Sequence, residues 1–197
     1  MRIIAGELRG RRLASPAPGV RPTSDRVRES MFARLGDLSG ANVLDLFAGS
    51  GALGIEAISR GADGVTFVDR AGRVVAALER TLGDLGIGDR ARVVRSEAAV
   101  AIRRLAGEDA VFDLIFVDPP YADHARLGEL LDAVVRGGLL ARDAVVVVEC
   151  AKRHAVAPSL ETVGGLSVES TRSYGDTSVT WLVSEHGAGQ SGGPKQR

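Results

Sequence analysis

From Asn42 onward, short aliphatic runs alternate with segments of helical periodicity, and this alternation constrains the fold more than any other feature. The runs are "NVLDLF" (42–47), "GVTFVD" (64–69), "ARVVR" (91–95), "FDLIFVD" (112–118) and "AVVVVEC" (144–150). Helical spacing fills the intervals at about 52–60, 71–86, 98–106 and 124–136. The runs are continuous in Val, Ile and Leu, as in strands buried on both faces of a parallel sheet covered by helices. The prediction is an α/β chain with a doubly wound, mostly parallel sheet.

Two flanking regions break the rhythm. "LSVESTRSY" (166–174) and "SVTWLVS" (178–184) are separated only by "GDT", too short for a crossover helix, so the sheet is expected to end in an antiparallel hairpin. At the start, "RIIAGELRGRRL" reads as two short strands around a glycine turn. "PTSDRVRESMFARL" (22–35) reads as a capped helix with Val27, Met31 and Leu35 at spacings of four. The Pro-rich "ASPAPGVRP" joins them. The expected organisation is a β-hairpin plus helix extension over 1–38, an α/β domain over 39–186 and a disordered tail over 187–197, "GAGQSGGPKQR".

Composition narrows the class. With 45% hydrophobic residues the chain can bury one sizeable core. Its longest aliphatic stretch, "AVVVV" (144–148), falls far short of the roughly 20 residues that cross a bilayer, so no membrane span is expected. Charges at Arg2, Glu7 and Arg9 argue against a secretory leader. Cys150 is the only cysteine, which excludes an internal disulfide and suits a reducing, cytoplasmic compartment. The net charge is zero, yet residues 1–34 carry eight arginines against three acids. A basic arm on an acidic body has this distribution, and a merely solvated charged surface is the equal alternative.

The first strand runs into "DLFAGSGALG" (45–54), with glycines at 49, 51 and 54. A glycine turn there brings backbone N–H groups and a helix N-terminus against a ligand, although the spacing alone also fits a purely structural turn. Asp45, just before the loop, would repel a pyrophosphate and attract an ammonium. Asp69 ends the second strand, where a carboxylate can accept from both ribose hydroxyls. "RSEA" places Ser96, Glu97 and Ala98 beside an adenine edge. An adenosine with an amino-acid tail is S-adenosylmethionine, which becomes S-adenosylhomocysteine on methyl transfer; a nicotinamide or flavin dinucleotide is the competing reading.

"FVDPPY" (116–121) closes the fourth strand. Two prolines fix φ and leave carbonyls that no ladder partner claims, and Asp118 adds a carboxylate to that shelf. The exocyclic amine of a nucleobase is a poor nucleophile because its lone pair is delocalised into the ring. Acceptors gripping its hydrogens would pyramidalise the nitrogen and aim the lone pair at a sulfonium methyl, while the Tyr121 ring stacks on the base.

"DLFAGSGALG" together with "DPPY" resembles the class I S-adenosylmethionine-dependent methyltransferases that modify exocyclic amino nitrogens of bases. With "RIIAGELRGRRL" and "GVRPTSDRVRESMF" added, the chain is similar, from about Met1 to Val183, to the bacterial family that methylates guanine N2 in 16S ribosomal RNA. The resemblance implies a seven-stranded sheet with its last strand antiparallel, and a monomer acting on 16S ribosomal RNA within a small-subunit particle. It also implies that Asp45, Phe47, Ala48, Gly49, Ser50 and Gly51 line the methionine side of the cofactor. Asp69 with Arg70 would take the ribose, and Ser96, Glu97 and Ala98 the adenine. Thr23 would lie near the cofactor's amino-acid end, and Asp118, Pro119, Pro120 and Tyr121 would hold the guanine amine. Arg2, Arg9, Arg11, Arg12, Arg21, Arg26 and Arg28 would meet RNA. Tyr or Phe follows the prolines in the family, so the Tyr121 hydroxyl is dispensable.

Other residues are expected to do less. His124 reads as a surface histidine at a helix start, Cys150 and Trp181 as core, and no histidine–cysteine pattern suggests a metal site. "DPPY" also permits DNA adenine or cytosine amines or a protein glutamine amide as substrate. A non-enzymatic RNA-binding assembly factor on a methyltransferase fold is the third reading.

Overall fold

The computed structural model describes residues 1–13, 24–152 and 163–185. Arg21, Thr23 and the tail expected over 187–197 lie outside the described residues.

Helix α1 (Asp25–Leu35) begins where the sequence provides a cap: Ser24 Oγ accepts from the Val27 N–H at 3.3 Å. Gly36, at φ +73°, ends it and returns its N–H to Phe32. Strand β1 (Asn42–Leu46) follows, then α2 (Ala52–Ser59), β2 (Gly64–Asp69), α3 (Gly72–Leu85), β3 (Ala91–Arg95) and α4 (Ala98–Gly107). Strand β4 (Phe112–Val117) leads through a 3-10 turn (Tyr121–Arg126) into α5 (Leu127–Arg136). The turn displaces the helix expected from residue 124, because Pro120 starts a tighter, non-α path. Strands β5 (Leu140–Ala151), β6 (Leu166–Tyr174) and β7 (Thr177–Ser184) complete the chain.

The seven strands lie in the order β3-β2-β1-β4-β5-β7-β6. β1 to β5 are mutually parallel, and β7 is antiparallel to both β5 and β6. Each face of the sheet has its own core. On one, Met31 and Phe32 of α1, Ile55 and Ile58 of α2 and Leu78 and Leu82 of α3 pack with Phe67, Phe116 and Trp181. On the other, Ile102 and Leu105 of α4 and Leu131 and Val134 of α5 pack on Leu44, Ile115, Val146 and Leu182. Strand order reverses between β1 and β4, opening a crevice at their carboxyl ends.

The N-terminal segment forms the short hairpin expected: Ile3 N–H donates to the Arg11 carbonyl at 3.0 Å, Gly10 N–H to the Ile3 carbonyl at 2.9 Å and Leu13 N–H to the Met1 carbonyl at 3.1 Å, around the antiparallel Arg2–Arg12 bridge. The backbone of residues 4–8, between the two arms, binds α2. Ile4 and Ala5 donate their N–H groups to the Glu56 carboxylate at 2.8 and 3.1 Å, and Glu7 N–H donates to the Ser59 carbonyl at 2.8 Å. Leu8 N–H donates to Ser59 Oγ at 3.0 Å, and that hydroxyl donates to Ala5 O. These backbone groups are satisfied by α2, which confines the strand pairing to the residues on either side of them. The extension packs with the α/β body: Ile3, Leu13 and Phe32 belong to the same core as Trp181.

Candidate active site

The crevice is a cavity of about 520 Å³ running from the ends of β2 and β3, past β1, to β4, β5 and the β6–β7 turn. Its first half is built on the glycine loop. Phe47, Gly49 and Gly51 all have positive φ, at +62°, +55° and +75°, so the chain turns sharply out of β1. The glycines serve different ends. A Cβ on Gly51 would fall 2.4 Å from Leu78 and one on Gly54 2.2 Å from Phe67, so both allow α2 to sit close against the sheet and α3. Gly49 has open space beside it and lines the cavity.

Two carboxylates hold the loop. Asp69 accepts from Gly49 N–H at 3.0 Å and from Ala71 N–H at 2.8 Å, one bond on each oxygen. A carboxylate has about four lone-pair sites, so two remain for hydroxyl donors. Asp45 is almost fully buried and accepts from Gly54 N–H at 3.0 Å. Burial pushes its carboxyl up from the ordinary 3.8 to about 7; the Gly54 N–H opposes the rise, and the charge of Asp69 adds to it. A cationic ligand would favour the ionised form. Ser96, Glu97 and Ala98 line the cavity where α4 starts, and Arg70 pairs with Glu97 across its mouth at 3.5 Å, both side chains being exposed. The donors and acceptors of this half fit S-adenosylmethionine: acceptors for two hydroxyls, a buried anion for an ammonium and a glycine turn for close approach.

The second half is reached through strand register. Asp45 pairs with Phe116, and Val117 pairs with Val148. Asp118 therefore projects from the same sheet face as Asp45, two residues beyond the level of Phe116. Pro119 is buried and Pro120 exposed. The Pro119 carbonyl accepts from His124 Nε2 at 3.1 Å, which fixes the proton on Nε2. His124 is thus part of the cavity wall and not the surface residue expected, because the 3-10 turn folds it back over the prolines. A carbonyl has two lone pairs, so one remains for a second donor. The stacking expected of the Tyr121 ring falls on a side chain outside those described.

Beyond Asp118 the wall is made by Glu149 of β5, Tyr174 and Thr177 of the β6–β7 turn, and Met1, Ser24 and Val27. Sequence reasoning missed all of these. Only Glu149 left a local sign, an acid at the end of a buried aliphatic strand. Among the described residues no group of three His, Cys, Asp or Glu could hold a metal.

The family described as conserved hypothetical protein 95 matches residues 1–183. Bacillus subtilis YlbH is 39% identical over 181 residues, 91% of this chain and 96% of its own length. The chain belongs to this family. It is the family of the ribosomal RNA small subunit methyltransferase D proteins, of which the Escherichia coli K12 member is 43% identical over 151 residues, 76% of this chain and 74% of its own. The solved structure of Escherichia coli yhhF superposes with a TM-score of 0.81 at 35% identity, covering 94% of this chain and 98% of that one.

Family membership bears out the resemblance and the class I methyltransferase fold. One of the arginines expected to meet RNA is placed otherwise. Arg28 is fully buried, donating through Nη2 to the Arg2 carbonyl and to Asp25, both at 2.7 Å. A buried guanidinium serves to staple α1 to the N-terminal segment and does not reach a phosphate. Arg2, Arg9, Arg11, Arg12 and Arg26 are exposed, with Arg11 also donating to the Asp84 carbonyl at 2.9 Å.

Proposed function

We propose that this methyltransferase-family chain transfers the methyl group of S-adenosylmethionine to the exocyclic N2 of a guanine in 16S ribosomal RNA. The observation that carries the reading is that Asp118 and Pro119 line one cavity with the glycine loop, Asp45 and Asp69. When bound, the cofactor supplies an electrophilic methyl on a sulfonium. Asp45 would hold the ammonium, Asp69 the ribose, and Ala98 would lie against the adenine. Asp118 and Pro119 O would accept the two amine hydrogens, orienting the nitrogen lone pair toward the methyl. As the N–C bond forms the C–S bond breaks, and the extra proton leaves the product nitrogen for solvent. Catalysis here is positioning and electrostatics, with no covalent enzyme intermediate.

RNA as substrate is supported by the names of the relatives and by the exposed arginines of the N-terminal segment, which meets the cavity at Met1. Purified protein, labelled cofactor and small-subunit particles lacking the modification test the reading, with mass spectrometry locating the label. Label on guanine N2 in 16S RNA is expected. Label in DNA adenine or cytosine, or in protein glutamine, with none in 16S RNA would overturn it, as would the absence of cofactor binding.

A further inference from the structure

We infer that Glu149 selects guanine by accepting the ring N1–H beside the methylated amine. The inference rests on the guanine-N2 reading above. Val117 of β4 pairs with Val148 of β5, so Asp118 and Glu149 occupy matching positions one residue beyond that pair. Both follow residues whose side chains enter the α5 side of the sheet, so both project to the opposite face, into the cavity. Parallel strands lie about 4.8 Å apart, which sets two carboxylates side by side along one wall. Glu149 is only 8% exposed, so an interaction it makes there is poorly screened by water. The Tyr174 ring lines the same end, its hydroxyl 2.6 Å from Ser30 Oγ, and offers a fixed apolar face to a base.

The chemistry of the bases then decides. A carboxylate can only accept hydrogen bonds. Guanine carries N1–H next to its exocyclic amine, giving adjacent donors to two adjacent acceptors. The amine of adenine stands beside an unprotonated N1, and that of cytosine beside an unprotonated N3. Either would set a lone pair against Glu149, and a buried polar mismatch of this kind costs a large factor in rate. The basic side chains Arg70 and Arg73 line the cofactor half, while Glu149 and Asp176 stand at the base end. The Glu149 carboxylate that suits guanine therefore disfavours the other amino bases.

The test uses the full chain and small-subunit particles carrying either guanine or 2-aminopurine at the mapped nucleotide. 2-Aminopurine keeps the amine and presents an unprotonated N1. Wild type is expected to prefer guanine by about 100-fold or more in kcat/KM. Glu149→Gln can turn its amide N–H toward that N1, so the preference should collapse to below about tenfold while cofactor affinity stays unchanged. Glu149→Asp, which keeps the carboxylate, should retain the preference at a lower rate. A Glu149→Gln enzyme with an undiminished guanine preference would overturn the inference alone, whether its rates fall equally on both substrates or not at all. Failure of wild type to label guanine would overturn the functional reading and this one with it.

Discussion

Gly6 lies so close to Ser59 that a Cβ built on it would fall 1.6 Å from the Ser59 carbonyl oxygen. The contact joins the sixth residue of the chain to the last turn of α2, the helix that starts at the glycine loop. Around it the Glu56 carboxylate accepts two backbone N–H groups and the Arg60 Nε–H. The arginine-bearing segment is therefore held against the cofactor loop's own helix.

Gly6→Ala should break this junction. The φ of +82° strains any L side chain, and the overlap with backbone forces the loop off α2. A loss of about 2 kcal/mol or more is expected, lowering Tm by roughly 4–8 °C for a chain of this size, as scanning calorimetry would show. An unchanged Tm would mean that the segment detaches freely.

Asp118→Ala should cut turnover by at least about 100-fold, the scale of losing one transition-state contact in a water-poor site. Cofactor affinity measured by titration calorimetry should stay within about twofold, because the proposed role of Asp118 is to hold the amine. Parallel losses in both would move Asp118 into the cofactor site.

Cofactor affinity should depend on pH through Asp45. Its folded pKa is raised to about 7. The folded carboxyl therefore keeps its proton where the unfolded one has lost it, and the stability this gives is full below the ordinary carboxylate range and lost as pH rises to about 7. Binding an ammonium requires the ionised form, so affinity should fall by up to about tenfold per unit as pH drops below 7. Titrations across this range with wild type and Asp45→Asn check it: the variant should bind more weakly and show a flat profile.

Replacing Arg9, Arg11 and Arg12 by alanine should weaken RNA binding and reduce the slope of log affinity against log salt by about two. Arg11 already donates to the Asp84 carbonyl, which is why fewer than three phosphate contacts are expected to be lost. An unaltered slope would move the RNA grip to another face.

The strands and helices of the α/β body were legible because each buried strand announces itself locally: "VLDL" and "FDLIFV" have no polar interruption wide enough for solvent. Asp45, Asp69 and Asp118 stand out in the sequence for a related reason, each being a carboxylate in or just after the last residues of such a run, and the structure brings all three to one cavity. The docking of the N-terminal hairpin on α2 was not legible, because its partners there, Glu56 and Ser59, lie more than fifty positions away, and nothing in "RIIAGELRG" points to them. His124 was misread because a 3-10 turn rotates side chains differently from an α-helix. The place of Glu149 required knowing that β5 adjoins β4, a fact of topology that no local pattern carries.

The cavity's two halves come from very different depths of the chain. Loop 45–54, Asp69 and Ala98 are all in place within the first hundred residues. The other half waits for Glu149, Tyr174 and Thr177, with β7 slotting between β5 and β6 at the end. The wall that faces Asp118 is therefore complete only once the two last strands have joined the sheet.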